Sequence, residues 1–190
     1  IMKRSEGILP TISSLPSKYR IGCFDKAAYA FVDFLKNAGQ SYWQILPICP
    51  TSYGDSPYQS FSAFAINPYF IDLDMLADDG LLKPEEFDRI NWGNDASKVD
   101  YEIIYNNRYK VLKKAYTRFK KKLPADHDDF CAENSFWLDD YALFMAIKDA
   151  NKGIVWNAWE KGLKLRDKES IAKAAEKYSN AIGFYKMQQY

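Results

Sequence analysis

The sequence predicts an α/β fold, because a strand, a helix and a second strand follow one another near its start. Residues 7–10 form a short apolar stretch, residues 26–38 carry apolar side chains at helical spacing, and residues 42–48 are a short aromatic and β-branched run. Strand, helix and strand in that order are the unit of a parallel α/β sheet. A third observation qualifies the first two: from Lys83 onward the pattern is helical, so a mainly helical segment follows the α/β part. The chain therefore divides by character into residues 1–82 and residues 83–190.

The elements can be justified in order. In the window 26–38, Ala27, Phe31, Phe34, Leu35 and Ala38 share one face, Asp25 stands where an N-cap belongs and Gly39 lies just past the end. The run Tyr42-Trp43-Gln44-Ile45-Leu46-Pro47-Ile48 reads as a buried strand, with Trp43 packing beneath the loop that follows. Beyond Lys83, Tyr105, Tyr109, Leu112, Tyr116 and Phe119 recur at steps of three and four, leaving Lys110, Lys113, Lys114 and Lys120 to Lys122 on a solvated face. Trp137, Tyr141, Phe144 and Ile147 mark another helix, starting near Asn134 or Ser135. Ile171, Ala175, Tyr178, Ile182, Tyr185 and Gln189 mark a third, without a stop signal before the last residue, as expected if the polypeptide continues. Breaks at Pro124 and Gly153 favour packing on a local core over a helical interaction module.

Composition narrows the function classes. The chain has 190 residues, 47% of them hydrophobic and 27% charged, which suits a folded domain and argues against disorder. Lys plus Arg number 26 against 25 Asp plus Glu, so no broad positive field exists to attract nucleic acid or an anionic membrane. No run approaches the roughly 20 apolar residues that cross a bilayer, and the first residues lack a signal-peptide pattern. Cys23, Cys49 and Cys131 are odd in number and widely spaced, which argues against a disulfide scaffold or a zinc site and for a reducing, cytoplasmic setting. His127, flanked by Asp126, Asp128 and Asp129, is expected as a solvated loop residue. Neither a metal nor a cofactor is expected.

The stretch Pro50-Thr51-Ser52-Tyr53-Gly54-Asp55-Ser56-Pro57-Tyr58-Gln59-Ser60-Phe61 directly follows the run 42–48. Loops after strand C-termini build the active sites of parallel α/β folds. Flat rings suit the C–H faces of a sugar, and a carboxylate, hydroxyls and an amide suit its hydroxyl groups. On chemistry alone, this loop either holds a sugar or is an Ω-loop held by its own side chains. Asp55 is likewise either a sugar contact or a turn residue bonded to nearby backbone N–H groups.

Several ordered blocks carry a resemblance. Gly7-Ile8-Leu9-Pro10, Ser13-Ser14-Leu15-Pro16-Ser17, Gly39-Gln40-Ser41-Tyr42-Trp43-Gln44-Ile45-Leu46-Pro47, Gly54-Asp55-Ser56-Pro57-Tyr58-Gln59-Ser60 and Asn67-Pro68 resemble successive blocks of the amylomaltase family of 4-alpha-glucanotransferases. Phe136-Trp137-Leu138-Asp139-Asp140-Tyr141-Ala142-Leu143-Phe144 and residues 156–166 resemble later ones, so the likeness covers nearly the whole chain. It implies the N-terminal part of a (β/α)8 TIM-type barrel with an inserted helical subdomain. Residues 1–82 would supply the first barrel elements and residues 83–190 the insertion.

The resemblance also implies an enzyme that moves α-1,4-glucan segments between maltodextrins by a retaining double displacement. The alternative is a noncatalytic α-glucan-binding protein. The family's catalytic carboxylates would fall beyond Tyr190, so no catalytic residue is assigned here, the remainder of the polypeptide is the implied partner, and the chain alone is expected to be inactive. Tyr58 resembles the tyrosine that stacks on the sugar beside the scissile bond. Ser56 and Gln59 resemble companions contacting that sugar, and Asp55 a loop-shaping or hydrogen-bonding carboxylate. Two departures bear on geometry. Arg20 and Ile66 stand where the family usually has glycine, and isoleucine is poorly suited to positive φ, which puts the backbone near Asn67 in question.

Overall fold

The computed structural model describes residues 4–52, 54–95 and 97–190. The chain forms two compact units, residues 1–118 and 119–190. The boundary between the compact units thus lies well beyond Leu82, where the sequence changes character, and falls at the end of a long helix. No helix among the described residues is long and apolar enough to cross a membrane.

The first unit contains a two-stranded parallel sheet, β1 (Gly7–Ile8) beside β2 (Tyr42–Trp43), with Gly7 opposite Tyr42 and Ile8 opposite Trp43. Helix α1 (Lys26–Asn37) connects them, which is the strand–helix–strand order expected from the sequence. Asp25 caps α1 by accepting from the N–H groups of Ala27 and Ala28 at 2.8 and 3.1 Å. Gly39 ends it at φ 73°, a left-handed conformation that costs glycine little.

The expected buried strand over 42–48 is not present. The strand is two residues long, Tyr42 is exposed and Trp43 half-buried. A continuous apolar strand is buried only when neighbours flank its edges and helices cover its faces, and β2 is paired among the described residues with β1 alone. The stripe on α1 is covered in part for the same reason. Leu35 is buried and Phe31 half-buried, but Phe34 is exposed. Trp43 is held as a packing residue: its Nε1 donates to the Pro10 carbonyl at 2.9 Å, and its ring meets Phe31 edge-on at 5.0 Å.

After the loop following β2 come a 3-10 turn Pro68–Phe70, helix α2 (Leu73–Asp78) and helix α3 (Tyr101–Phe119). The Asp72 side chain caps α2 at the Met75 N–H, and Asp100 accepts from the Ile103 N–H at the start of α3. The buried face of α3 is Ile104, Arg108, Val111, Leu112, Ala115 and Phe119. It lies to one side of the tyrosine stripe read from the sequence, and Tyr105 points outward. The lysines at 110, 113, 114 and 120–122 are exposed, as expected. Gly22 sits where a Cβ would fall 1.9 Å from the Ile12 carbonyl oxygen, so any side chain there would push the two segments apart.

The second unit is helical. It contains α4 (His127–Glu133), α5 (Ser135–Ala150), α6 (Lys161–Lys164), α7 (Lys168–Lys177) and α8 (Ser179–Gln189). Helix α5 packs against α8, and Leu143, Ile147, Trp159 and Ala174 form a buried cluster. Two expectations are corrected. The helix expected to run through Tyr178 is two helices, with Tyr178 at φ −105° between them. His127 is buried, not a solvated loop residue: it opens α4, and its ring meets Phe119 at 5.2 Å and Tyr190 at 5.3 Å edge-on. Neighbours remote in sequence bury the ring while Asp128 remains in solvent.

Candidate sugar-binding loop and cleft

The loop after β2 is closed at its base and again partway along. The Asn67 N–H donates to the Ile48 carbonyl at 2.8 Å, and Thr51 and Ser60 form an antiparallel bridge. Asn67 is buried, and its Oδ1 accepts from the Tyr69 N–H, starting the Pro68–Phe70 turn. Ile66 does not adopt positive φ, so the turn forms without the glycine the resemblance would place there. Arg20 does adopt it, at φ 60°, a left-handed conformation that glycine takes at less cost.

Within the loop, Gly54 and Asp55 are both left-handed, at φ 88° and 53°. Aspartate tolerates this conformation better than most residues because its short polar side chain can bond locally. Here the Asp55 N–H donates to the Ser52 carbonyl, and Asp55 Oδ1 accepts from Thr51 Oγ1, both at 3.1 Å. The Ser52 N–H donates to the Gln59 carbonyl and the Gln59 N–H to the Ser56 carbonyl, again at 3.1 Å. The Tyr58 N–H makes a longer 3.4 Å contact with Ser56 Oγ. These bonds hold Tyr58 in a turn with 74% of its surface exposed, although a tyrosine ring ordinarily gains by burial. Tyr53 lies outside the described residues.

Beside this loop is a cleft of about 100 Å³, with Ile12, Ile21, Leu46, Ile48 and Phe70 among its apolar walls. Polar groups from Thr11, Ser13, Thr51, Asp55, Asn67, Tyr69 and Tyr101 also line it. The Thr11 hydroxyl is 2.8 Å from those of Ser13 and Ser14. Burial, reinforced by the nearby Asp55 charge, pushes the Tyr69 phenol up from its ordinary pKa of 10.0. Burial does the same to Tyr101, where Ser13 opposes the shift and Asp55 adds to it. Both phenols therefore stay neutral and can donate and accept hydrogen bonds near one carboxylate, the donor–acceptor mixture that a hydroxyl-rich ligand needs.

The four residues read from the sequence fall into two groups. Asp55 lines the cleft, while Ser56, Tyr58 and Gln59 form the adjoining turn, with Tyr58 and Gln59 exposed and Ser56 half-buried. Tyr69 and Tyr101 were not legible as cleft residues. Tyr69 directly follows Asn67-Pro68, which is a usable signal, whereas Tyr101 opens a helix far along the chain and carries none. Asp55 is the only carboxylate among the described residues lining the cleft. That is one short of the pair that a retaining glycosyl transfer requires.

Comparisons with known proteins agree over this whole region. A family model described as 4-alpha-glucanotransferase matches residues 10–190. A 4-alpha-glucanotransferase of Clostridium butyricum is 50% identical over 179 residues, covering 94% of this chain and 37% of that protein. One from Thermus thermophilus is 41% identical over 193 residues, covering 100% and 38%. The solved structure of amylomaltase from Streptococcus agalactiae in complex with acarbose superposes with a TM-score of 0.95 at 41% identity, covering 99% of this chain and 38% of that one. The amylomaltase of Corynebacterium glutamicum, at 17% identity and a TM-score of 0.62, shares the fold. The chain thus spans about 38% of the length of most of these relatives. Its fold class is α/β, part of a TIM-type barrel with a helical subdomain.

Proposed function

The chain belongs to the 4-alpha-glucanotransferase family, and on that premise we propose that the whole protein transfers α-1,4-glucan segments between maltodextrins by a retaining double displacement. The observation that carries this reading is Tyr58, an exposed ring on a loop closed by its own hydrogen bonds, beside a cleft lined by a carboxylate, two neutral phenols and several hydroxyls. Residues 1–82 supply barrel elements and the sugar loop, and residues 83–190 the mainly helical insertion.

In this account Tyr58 presents its face to a glucose ring beside the bond that breaks, and its neighbours Ser56 and Gln59 bond the hydroxyls of that sugar. Asp55, held by Thr51, shapes the loop and offers its remaining oxygen lone pairs to a hydroxyl. Fixing these groups before the sugar arrives lowers the entropic cost of orienting it. The remaining work is covalent. A nucleophilic carboxylate forms a glycosyl intermediate, while a second carboxyl group first protonates the leaving oxygen and then deprotonates the acceptor hydroxyl, the two standing about 5–5.5 Å apart. Asp55 is tied to Thr51 as a loop residue, and no second carboxylate lines the cleft among the described residues, so both groups are assigned to the remainder of the polypeptide.

The test is release of glucose together with longer oligomers from maltotriose. The complete protein is expected to produce both. Binding of maltotriose without turnover would make it a noncatalytic glucan-binding protein instead.

A further inference from the structure

Outside the sugar cleft, the second unit brings together the chain's single histidine and one of its three cysteines. His127 and Cys131 stand one turn apart on α4, with Nε2 3.6 Å from Sγ. On the other side of the ring, Nδ1 lies 3.4 Å from Asp128 Oδ1. The edge contacts from Phe119 and Tyr190 fix the plane of the imidazole. Cys131 is a free, half-buried thiol. The proposed glucan transfer uses none of these groups.

Two features of this geometry also suit a bound metal ion. A tetrahedral zinc ion takes sulfur at about 2.3 Å and imidazole nitrogen at about 2.1 Å, which places the two donor atoms about 3.6 Å apart. The separation between Nε2 and Sγ already has that value. A metal-bound histidine also ordinarily directs its other ring nitrogen at a carboxylate, which selects the tautomer that leaves the metal-facing nitrogen free. Asp128 stands on that side of His127.

We propose that His127 and Cys131 are a two-ligand binding site for a divalent cation of the zinc class, with Asp128 orienting the histidine. No group of three or more His, Cys, Asp or Glu residues gathers as a fuller ligand set among the described residues. The remaining coordination positions therefore belong to water, which makes the site exchangeable and separates it from the closed four-ligand sites that hold small domains together. The metal has to displace the thiol proton.

The experiment is titration of the complete protein with Co²⁺, whose thiolate complexes absorb in the near ultraviolet, followed by back-titration with Zn²⁺. The expected result is a cobalt–thiolate band saturating at one equivalent, abolished by Zn²⁺, lost in Cys131→Ser and unchanged in Cys49→Ser. His127→Gln should weaken Co²⁺ binding at least 10-fold. Because His127 is packed and its replacement can loosen the unit, Asp128→Asn serves as the second variant. That exposed carboxylate carries no packing, and its loss should weaken binding roughly 10-fold. A wild-type protein with no thiolate band would overturn the proposal. So would a band that survives Cys131→Ser, or unchanged affinity in both His127→Gln and Asp128→Asn.

Discussion

Arg108 Nη2 donates to the carbonyl oxygen of Tyr69 at 2.9 Å, tying helix α3 to the backbone of a cleft-lining residue. The guanidinium is fully buried, also reaches Cys23 Sγ at 3.3 Å, and lies over the rings of Tyr19 and Trp92 at 5.7 and 5.4 Å. Its Nε and Nη1 have no hydrogen-bond partner among the described residues. Burying such a cation is costly, and the ring faces offset part of that cost.

Removing Arg108 should therefore expose two separable effects. Arg108→Ala deletes the packed stem and leaves the Tyr69 carbonyl with only the weak 3.5 Å contact from Cys23 Sγ, with an expected loss of about 3 kcal/mol or more. Arg108→Met keeps most of the stem and removes the buried charge, so it should lose clearly less. Denaturant midpoints of the complete protein compare the two, and equal losses would mean that packing contributes little here.

Arg20 and Ile66 give opposite expectations for the same substitution. Arg20 is left-handed, so Arg20→Gly relieves strain and should stabilise by about 0.5–1 kcal/mol after the extra chain entropy of glycine is counted. Ile66 is not left-handed, so Ile66→Gly should cost about 0.5–1 kcal/mol. Shifts of the same sign in the two melts would contradict the backbone assignment.

Glu86 and Arg118 supply a pH test. Arg118 donates to both Glu86 oxygens, at 2.8 and 3.1 Å, and holds the Glu86 carboxyl below its ordinary pKa of 4.5. A depressed carboxyl contributes stability that is present above its unfolded pKa and is lost as pH falls through the folded one. Glu86→Gln should thus cost about 0.5–1 kcal/mol at neutral pH for this partly exposed pair. The difference from wild type should shrink as pH drops below 4.5. Melting curves across that range check it, and a difference constant with pH would rule out the ion pair as its source.

What was legible in the sequence was local. Asp25 and Gly39 announce the ends of α1 because caps act within one turn, and Gly54-Asp55 announces a turn because positive φ selects those residue types. The loop residues Asp55, Ser56, Tyr58 and Gln59 were singled out through ordered blocks resembling a known family, and their contact with sugar is the proposal that the Tyr58 variants test. What was not legible depends on partners distant along the chain. His127 sits among aspartates and reads as solvated, yet Phe119 and Tyr190 cover its ring. Arg108 carries a charge in a helix with many lysines, yet the rings of Tyr19 and Trp92 cover it. The run 42–48 looks like a buried strand because its side chains suit one, and burial requires neighbours that β1 and α1 alone do not provide.

The central claim, that Tyr58 presents its ring to the sugar beside the cleaved bond, is tested most directly by kcat/KM for maltotriose in the complete protein carrying Tyr58→Ala or Tyr58→Phe. Tyr58 is 74% exposed, so neither change should move the melting temperature appreciably. Loss of a stacking contact worth on the order of 1–3 kcal/mol predicts that Tyr58→Ala lowers kcat/KM by about 5- to 150-fold. Tyr58→Phe, which keeps the ring face, should retain clearly more activity. An unchanged kcat/KM for Tyr58→Ala, or a fall in activity that only tracks a fall in melting temperature, would contradict the account.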